Sequence, residues 1–143
     1  MKKQILAIYI LIAFGLSVYA QDNSSTRPLS QLRNDYNQVG IVAHLKIKSI
    51  KLAAEDIHPL YVVESEIIEP FKGKIKRGQQ LVFYIHLEEG YDVNRFLGEW
   101  IVFLEGKHPI PSGGKGWFVL ENSSLQPSNK NIARIRKIKS RRG

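Results

Sequence analysis

The fold is decided by Gly98-Glu99-Trp100-Ile101-Val102-Phe103-Leu104-Glu105-Gly106. The five central residues of this stretch are all apolar, and each is β-branched, aromatic or leucine. A short run of this composition between glycines is typical of a strand that is buried on both faces. Because a half-exposed strand would alternate polar and apolar residues, we expect this one to lie inside a sandwich or a closed barrel.

Four other segments carry strand patterns, at residues 39–51, 60–68, 80–87 and 117–121. In the first, apolar and polar residues alternate until Ser49, where the alternation slips, and this predicts a β-bulge or a bend. The second strand is expected to stop at Pro70, because proline cannot donate to a strand ladder. Before the opening stretch, Phe96 and Leu97 are expected to pack against the core.

Helical patterns flank the strands on both sides. Ser30 can cap a short helix that ends near Gln38, and Ser128 or Asn129 can cap a second helix. In the second helix, isoleucine recurs every third residue among basic residues, at Ile132, Ile135 and Ile138. These elements predict a mainly β fold, a small five-stranded closed barrel with short flanking helices, since closure removes exposed strand edges.

Residues 1–20 have the pattern of a secretory signal peptide. Lys2 and Lys3 precede an apolar core at residues 5–18, and Val18-Tyr19-Ala20 matches a cleavage site that would leave Gln21 as the first mature residue. An uncleaved membrane anchor is the alternative, but the apolar core is shorter than the ~20 residues that a spanning helix needs. We therefore expect a secreted or periplasmic protein whose residues 21–29 form a flexible lead-in.

The formal net charge of +8 is concentrated near one end of the chain. Apart from Lys2 and Lys3, seven basic residues lie within 130–142, which leaves 12 basic against 13 acidic residues elsewhere. The body is thus close to neutral, and residues 129–143 form a basic C-terminal helix or tail. The seven residues are Lys130, Arg134, Arg136, Lys137, Lys139, Arg141 and Arg142.

Several short sequence segments resemble those of a known family. The first strand follows its helix as Tyr36-Asn37-Gln38-Val39-Gly40-Ile41-Val42-Ala43-His44-Leu45-Lys46-Ile47, and the second ends in Glu69-Pro70-Phe71-Lys72-Gly73. Gly78 then precedes Leu81-Val82-Phe83-Tyr84, and the opening stretch supplies a Gly-Glu-x-x-x-Phe-Leu strand. The chain resembles the OB-fold domain of tissue inhibitors of metalloproteinases and the netrin-type modules related to them. The resemblance implies an OB-fold at residues 30–128 and a protein-binding role.

The chain departs from that family because it contains no cysteine. In the inhibitors, a mature N-terminal cysteine chelates the zinc of the protease, so no inhibitory residue carries over to this chain. What the resemblance still implies is the fold and a binding role. Because the opening strand belongs to the core, we expect that role on the N-terminal segment, the 52–58 and 88–97 loops or the basic tail. The candidate protein-binding residues are Gln21, Asp22, Tyr91 and Asp92.

No motif for nucleophilic catalysis or phosphate binding is present, and the four histidines lack the spacing of a zinc site. We expect no catalytic residue, metal or cofactor, and hence a non-enzymatic module whose partner is a protein, conceivably a protease. The alternative is binding to a polyanion or a membrane surface through the seven basic residues. Secretion argues against nucleic acid.

Two smaller possibilities stay open. An OB-fold can stack ligand rings on one barrel face, for which Tyr61, Tyr84 and Trp117 are candidates unless they belong to the core. Glu55, Asp56 and His58 could bind a cation, although a solvated loop is the simpler interpretation of the same residues.

Overall fold

The protein is described by a computed structural model that covers residues 27–142. The predicted signal peptide and most of the predicted lead-in lie outside the described residues. The elements are α1 (Leu29–Gln38), β1 (Ile41–Ala54), β2 (Leu60–Lys72), β3 (Gln80–His86), a 3-10 helix (Val93–Phe96), β4 (Gly98–Pro109), β5 (Lys115–Val119) and α2 (Asn129–Ser140). The predicted mainly β fold is confirmed. No helix within 27–142 combines the length and apolar character needed to cross a membrane.

Each strand pairs with two others. The hydrogen-bonded neighbours follow the order β1–β2–β3–β5–β4 and return to β1. All pairings are antiparallel except that between β3 and β5, which are parallel at Tyr84 and Phe118. The register of β1 against β2 shifts between Ile47 and Ser49, which confirms the predicted irregularity near Ser49. This shift lets β1 bend, so that it pairs with β2 along its length and with β4 along its first half.

Residues 101–104 of the opening stretch are buried on both faces, and a different layer covers each face. Val102 and Leu104 join the interior cluster that the five strands enclose. Ile101 and Phe103 point the other way, into a second cluster with residues of α1 and α2. The outer face of β4 is therefore buried because the two helices cover it. The strand pattern alone did not predict that helices would cover this face.

The two helices dock on that outer face through short apolar stripes. In α1, Leu32 and Tyr36 are buried, and the Tyr36 hydroxyl donates to the carbonyl of Phe71 at 2.9 Å. The helix begins after Pro28 with no side-chain cap, so the prediction that Ser30 caps it was wrong. In α2, Ser128 is the cap as predicted, because its hydroxyl accepts from the backbone N–H of Asn131.

The structure corrects two further local predictions. Pro70 does not end β2, which continues to Lys72 and pairs Pro70 with Ala43. Proline is tolerated there because β3 pairs with β2 only from Leu60 to Glu66, so beyond that point one side of β2 lacks a ladder. Phe96 packs against the interior cluster as expected, but Leu97 is 44% exposed.

Candidate interaction surfaces

Four exposed large apolar side chains lie in or beside two connections between strands. The connection from β1 to β2 ends where the connection from β3 to β4 begins, because Leu60 at the start of β2 pairs with His86 at the end of β3. The four side chains, which we call the apolar end, are Leu52, Ile57, Tyr91 and Leu97. The largest exposure is that of Ile57, at 82%.

Tilted aromatic contacts join the connection between β3 and β4 to strand β4. Tyr91 packs on Phe96 with ring centroids 5.6 Å apart, and Phe96 packs on Trp100 of β4 at 5.1 Å. Asp92 caps the 3-10 helix, because its carboxylate accepts from the backbone N–H of Asn94 at 3.1 Å. Of the predicted protein-binding residues, Tyr91 therefore presents a ring to solvent and Asp92 shapes the backbone. Gln21 and Asp22 lie outside the described residues.

The rim of the apolar end is acidic. The two connections carry five exposed carboxylates and a single exposed arginine, Arg95. Among residues 27–142, no group of three or more His, Cys, Asp and Glu side chains is arranged to hold a metal ion. The arrangement therefore combines exposed apolar side chains with negative charge. The carboxylates are Glu55, Asp56, Glu88, Glu89 and Asp92.

Three of the seven predicted polyanion-binding residues bind the domain itself. Arg136 donates two hydrogen bonds to the Glu69 carboxylate, at 2.9 and 2.8 Å, and these bonds lower the pKa of that carboxyl. Arg134 donates to the carbonyl of Arg27, and Lys139 reaches the carbonyl of Pro70 at 3.4 Å. These side chains attach α2 to the rest of the fold.

The other four basic residues of the segment are Lys130, Lys137, Arg141 and Arg142. They are exposed and make no ion pair within the described part of the chain. Arg141 and Arg142, with Ile138, line a hollow of about 220 Å³ that Arg33 of α1 completes. No local pattern indicated Arg33, because its approach to α2 depends on how the two helices pack.

Lys72 stabilises the end of α1 by binding backbone carbonyls there. Its ammonium donates to the carbonyls of Tyr36 at 2.7 Å and Val39 at 2.5 Å, at the end of α1. Burial lowers the pKa of Lys72, and the positive charge of Arg142 lowers it further. Lysine in this position satisfies carbonyls that have no partner inside the helix.

Only one of the three candidate stacking aromatics lies on the outer face of the sheet. Tyr61 and Trp117 pack against the interior cluster. Tyr84 stacks on Phe118 with centroids 5.4 Å apart, and the rings of His86 and His108 lie 6.0 and 5.6 Å from Phe118. The parallel pairing of β3 with β5 brings Phe118 to Tyr84, and no local pattern could indicate this contact.

Comparison with known proteins found no family model and no curated protein that matches this chain. The resemblance to the metalloproteinase inhibitors therefore stays a prediction.

Proposed function

We propose that this chain is a secreted or periplasmic, non-enzymatic module that binds a protein, built on a closed barrel of the OB-fold type. The OB-fold part of the proposal is supported by the neighbour order β1–β2–β3–β5–β4, which returns to β1, and by the single parallel pairing of β3 with β5. A barrel of this kind supports function through its surface loops, since its interior is filled by side chains.

The observation that carries the binding function is the apolar end. Single exposed apolar residues are normal on protein surfaces, but several on neighbouring connections are a candidate interaction site. Of the five large hydrophobic residues exposed within 27–142, four belong to the apolar end, and Val82 is the other. The acidic rim implies that the complementary surface of the partner is apolar at its centre and basic around it.

The family resemblance makes a protease one class of partner. This chain lacks the cysteine through which the inhibitors hold the catalytic zinc. Binding would instead depend on the side chains of the apolar end, so the proposal requires no metal contact. The same surface serves equally for a partner that is not a protease.

The experiment places a photoreactive amino acid at Ile57 or, as a control, at Val82. A specific partner should be captured from envelope and culture fractions through position 57 and not through position 82. The affinity of that partner is then measured for two forms of this protein, the double variant Ile57→Ser with Leu97→Ser and the control variant Val82→Ser. We expect the double variant to weaken binding by about tenfold or more, because exposed anchors that become buried at an interface carry much of its energy.

The control also defines failure. If Val82→Ser weakens binding as much as the double variant does, or if the captured partner binds all variants equally, the apolar end is not the interface. Circular dichroism and thermal denaturation should show all variants folded, since these three side chains are 44–82% exposed.

A further inference from the structure

Three arginines from two helices line one hollow. Arg33 comes from α1, and Arg141 and Arg142 follow the last turn of α2, with Ile138 at the base. Ile138 is 2% exposed, whereas the three arginines are exposed. Arg141 and Arg142 lie just past the end of α2, and both line the hollow together with Arg33 of α1. The three side chains are therefore near one another and open to solvent.

Among residues 27–142, no carboxylate lines the hollow beside its three arginines. Two other arginines associated with the helices are paired, Arg27 with Asp35 at 2.9 Å and Arg136 with Glu69 at 2.8 Å. Within residues 27–142, no ion pair includes Arg33, Arg141 or Arg142. The charges of these three arginines repel one another, and no described acidic side chain offsets them.

The surroundings add a fourth positive group. The charge of Arg142 acts on Lys72 and lowers its pKa beyond the effect of burial. Burial raises the pKa of Tyr36, and the same arginine acts in the opposite direction. Arg142 therefore lies on the side of the hollow where α1 ends and Lys72 is anchored.

Helix ends do not account for this concentration of cations. The carbonyls at the end of α1 attract positive charge, but Lys72 already occupies those of Tyr36 and Val39. The end of α2 attracts Arg141 and Arg142, yet it does not explain why Arg33 of the other helix faces the same hollow. Each guanidinium carries five N–H donors in a planar fork that matches phosphate and sulfate oxygens.

We propose that this hollow is a binding site for a phosphate- or sulfate-type oxyanion, held by Arg33, Arg141 and Arg142. A tetrahedral dianion can accept bidentate hydrogen bonds from more than one arginine, and the hollow of about 220 Å³ admits such a group. The site is independent of the protein-binding function proposed above, and it uses only two of the seven basic residues predicted to bind polyanions. The oxyanion has two possible sources, a free anion or a lipid headgroup.

The test measures binding of inorganic phosphate and inorganic sulfate to the protein as it is isolated, with sodium chloride keeping the ionic strength constant. Calorimetry and thermal denaturation should show saturable binding and a rise in melting temperature. Arg33→Gln and the double variant Arg141→Gln with Arg142→Gln should each weaken binding by about tenfold or more. Lys130→Gln with Lys51→Gln removes the same charge as the arginine pair from exposed positions that do not line the hollow, and it should leave binding unchanged.

A second arm uses vesicles of phosphatidylcholine with and without phosphatidic acid. If vesicle binding is lost in the arginine variants and kept in the lysine control, the proposal holds and the source is a lipid headgroup. If only the inorganic anions respond to the arginine variants, the proposal holds for a free oxyanion. The proposal is overturned if no ligand shows saturable binding, or if the lysine control loses as much affinity as the arginine pair, which would indicate diffuse attraction.

Discussion

At the scale of single residues, Trp117 makes a tightly packed contact with two glycines. A Cβ atom on Gly40 would lie 2.7 Å from the indole ring, and one on Gly106 would lie 2.6 Å from it. Neither position has a positive φ, so glycine is required there for space. The indole also packs against the interior cluster, so the two glycines let β4 and the start of β1 approach the ring.

Gly106→Ala should destabilise the protein by about 1–3 kcal/mol, because the added methyl group overpacks the indole. In a Trp117→Leu background, the same substitution should cost clearly less, since leucine leaves room for the methyl group. Urea unfolding of the four proteins in this double-mutant cycle measures the coupling. An equal cost of Gly106→Ala in both backgrounds would show that the contact with Trp117 does not limit the site.

At the scale of elements, α2 is held to β2 by charge as well as by apolar packing. Ile135 and Ile138 enter the outer cluster, and Arg136 makes its two hydrogen bonds to Glu69 on β2. The exposed pair of Lys48 and Glu66 joins two adjacent strands. The Glu69 side chain is more sheltered than that of Glu66, at 22% against 40% exposure, whereas Arg136 is 61% exposed and is screened by solvent.

The Glu69 pair predicts a stability that depends on pH. Hydrogen bonds from Arg136 hold the pKa of Glu69 below its ordinary value of 4.5 in the folded state. A depressed carboxyl pKa stabilises the fold above the unfolded-state pKa, and this stabilisation is lost as the pH falls through the folded-state pKa. Glu69→Gln should therefore lower the free energy of unfolding at pH 7, and the difference from the parent should shrink toward pH 3.

Urea unfolding of parent and variant at both pH values checks this prediction. Glu121→Gln is the control, because Glu121 is exposed and makes no ion pair within the described chain. A difference between parent and Glu69→Gln that is as large at pH 3 as at pH 7 would mean that ionisation of Glu69 does not contribute.

At the scale of the whole molecule, opposite charges occupy the two ends of β2. The two connections that carry most of the apolar end and its acidic rim meet where β2 begins, at Leu60. The helices and the arginine hollow lie where β2 finishes, since α2 contacts Glu69 and Pro70 and α1 is capped by Lys72. The near-neutral body and the basic segment seen in the sequence thus become an acidic end and a basic end of one folded unit.

This separation predicts two binding sites that work independently. The double variant Ile57→Ser with Leu97→Ser should bind phosphate as tightly as the parent. Arg33→Gln should bind the protein partner with unchanged affinity, because no residue is shared between the sites. Calorimetry with each ligand on both variants provides the measurement. Loss of phosphate binding in the double variant would show that the two ends are coupled through the fold.

The strands could be predicted from local pattern, because burial of one face of a strand makes apolar and polar residues alternate along the sequence. The mainly β fold, the irregularity near Ser49 and the cap at Ser128 followed from residues close together in the chain. The predictions that Pro70 ends β2 and that Leu97 packs against the core were wrong. Both depend on whether another segment lies beside the residue, and a local pattern carries no information on that.

For the stretch Gly98–Gly106, the sequence by itself determined that both faces are buried. Only the tertiary structure decided what buries them, the strand ring on one side and the two helices on the other. The same holds for function: composition located a basic segment, but docking of α2 assigned Arg134, Arg136 and Lys139 to the fold and left Arg141 and Arg142 beside Arg33. The physical reason is that periodicity reflects burial along one segment, whereas pairing of charges requires distances between segments far apart in the chain.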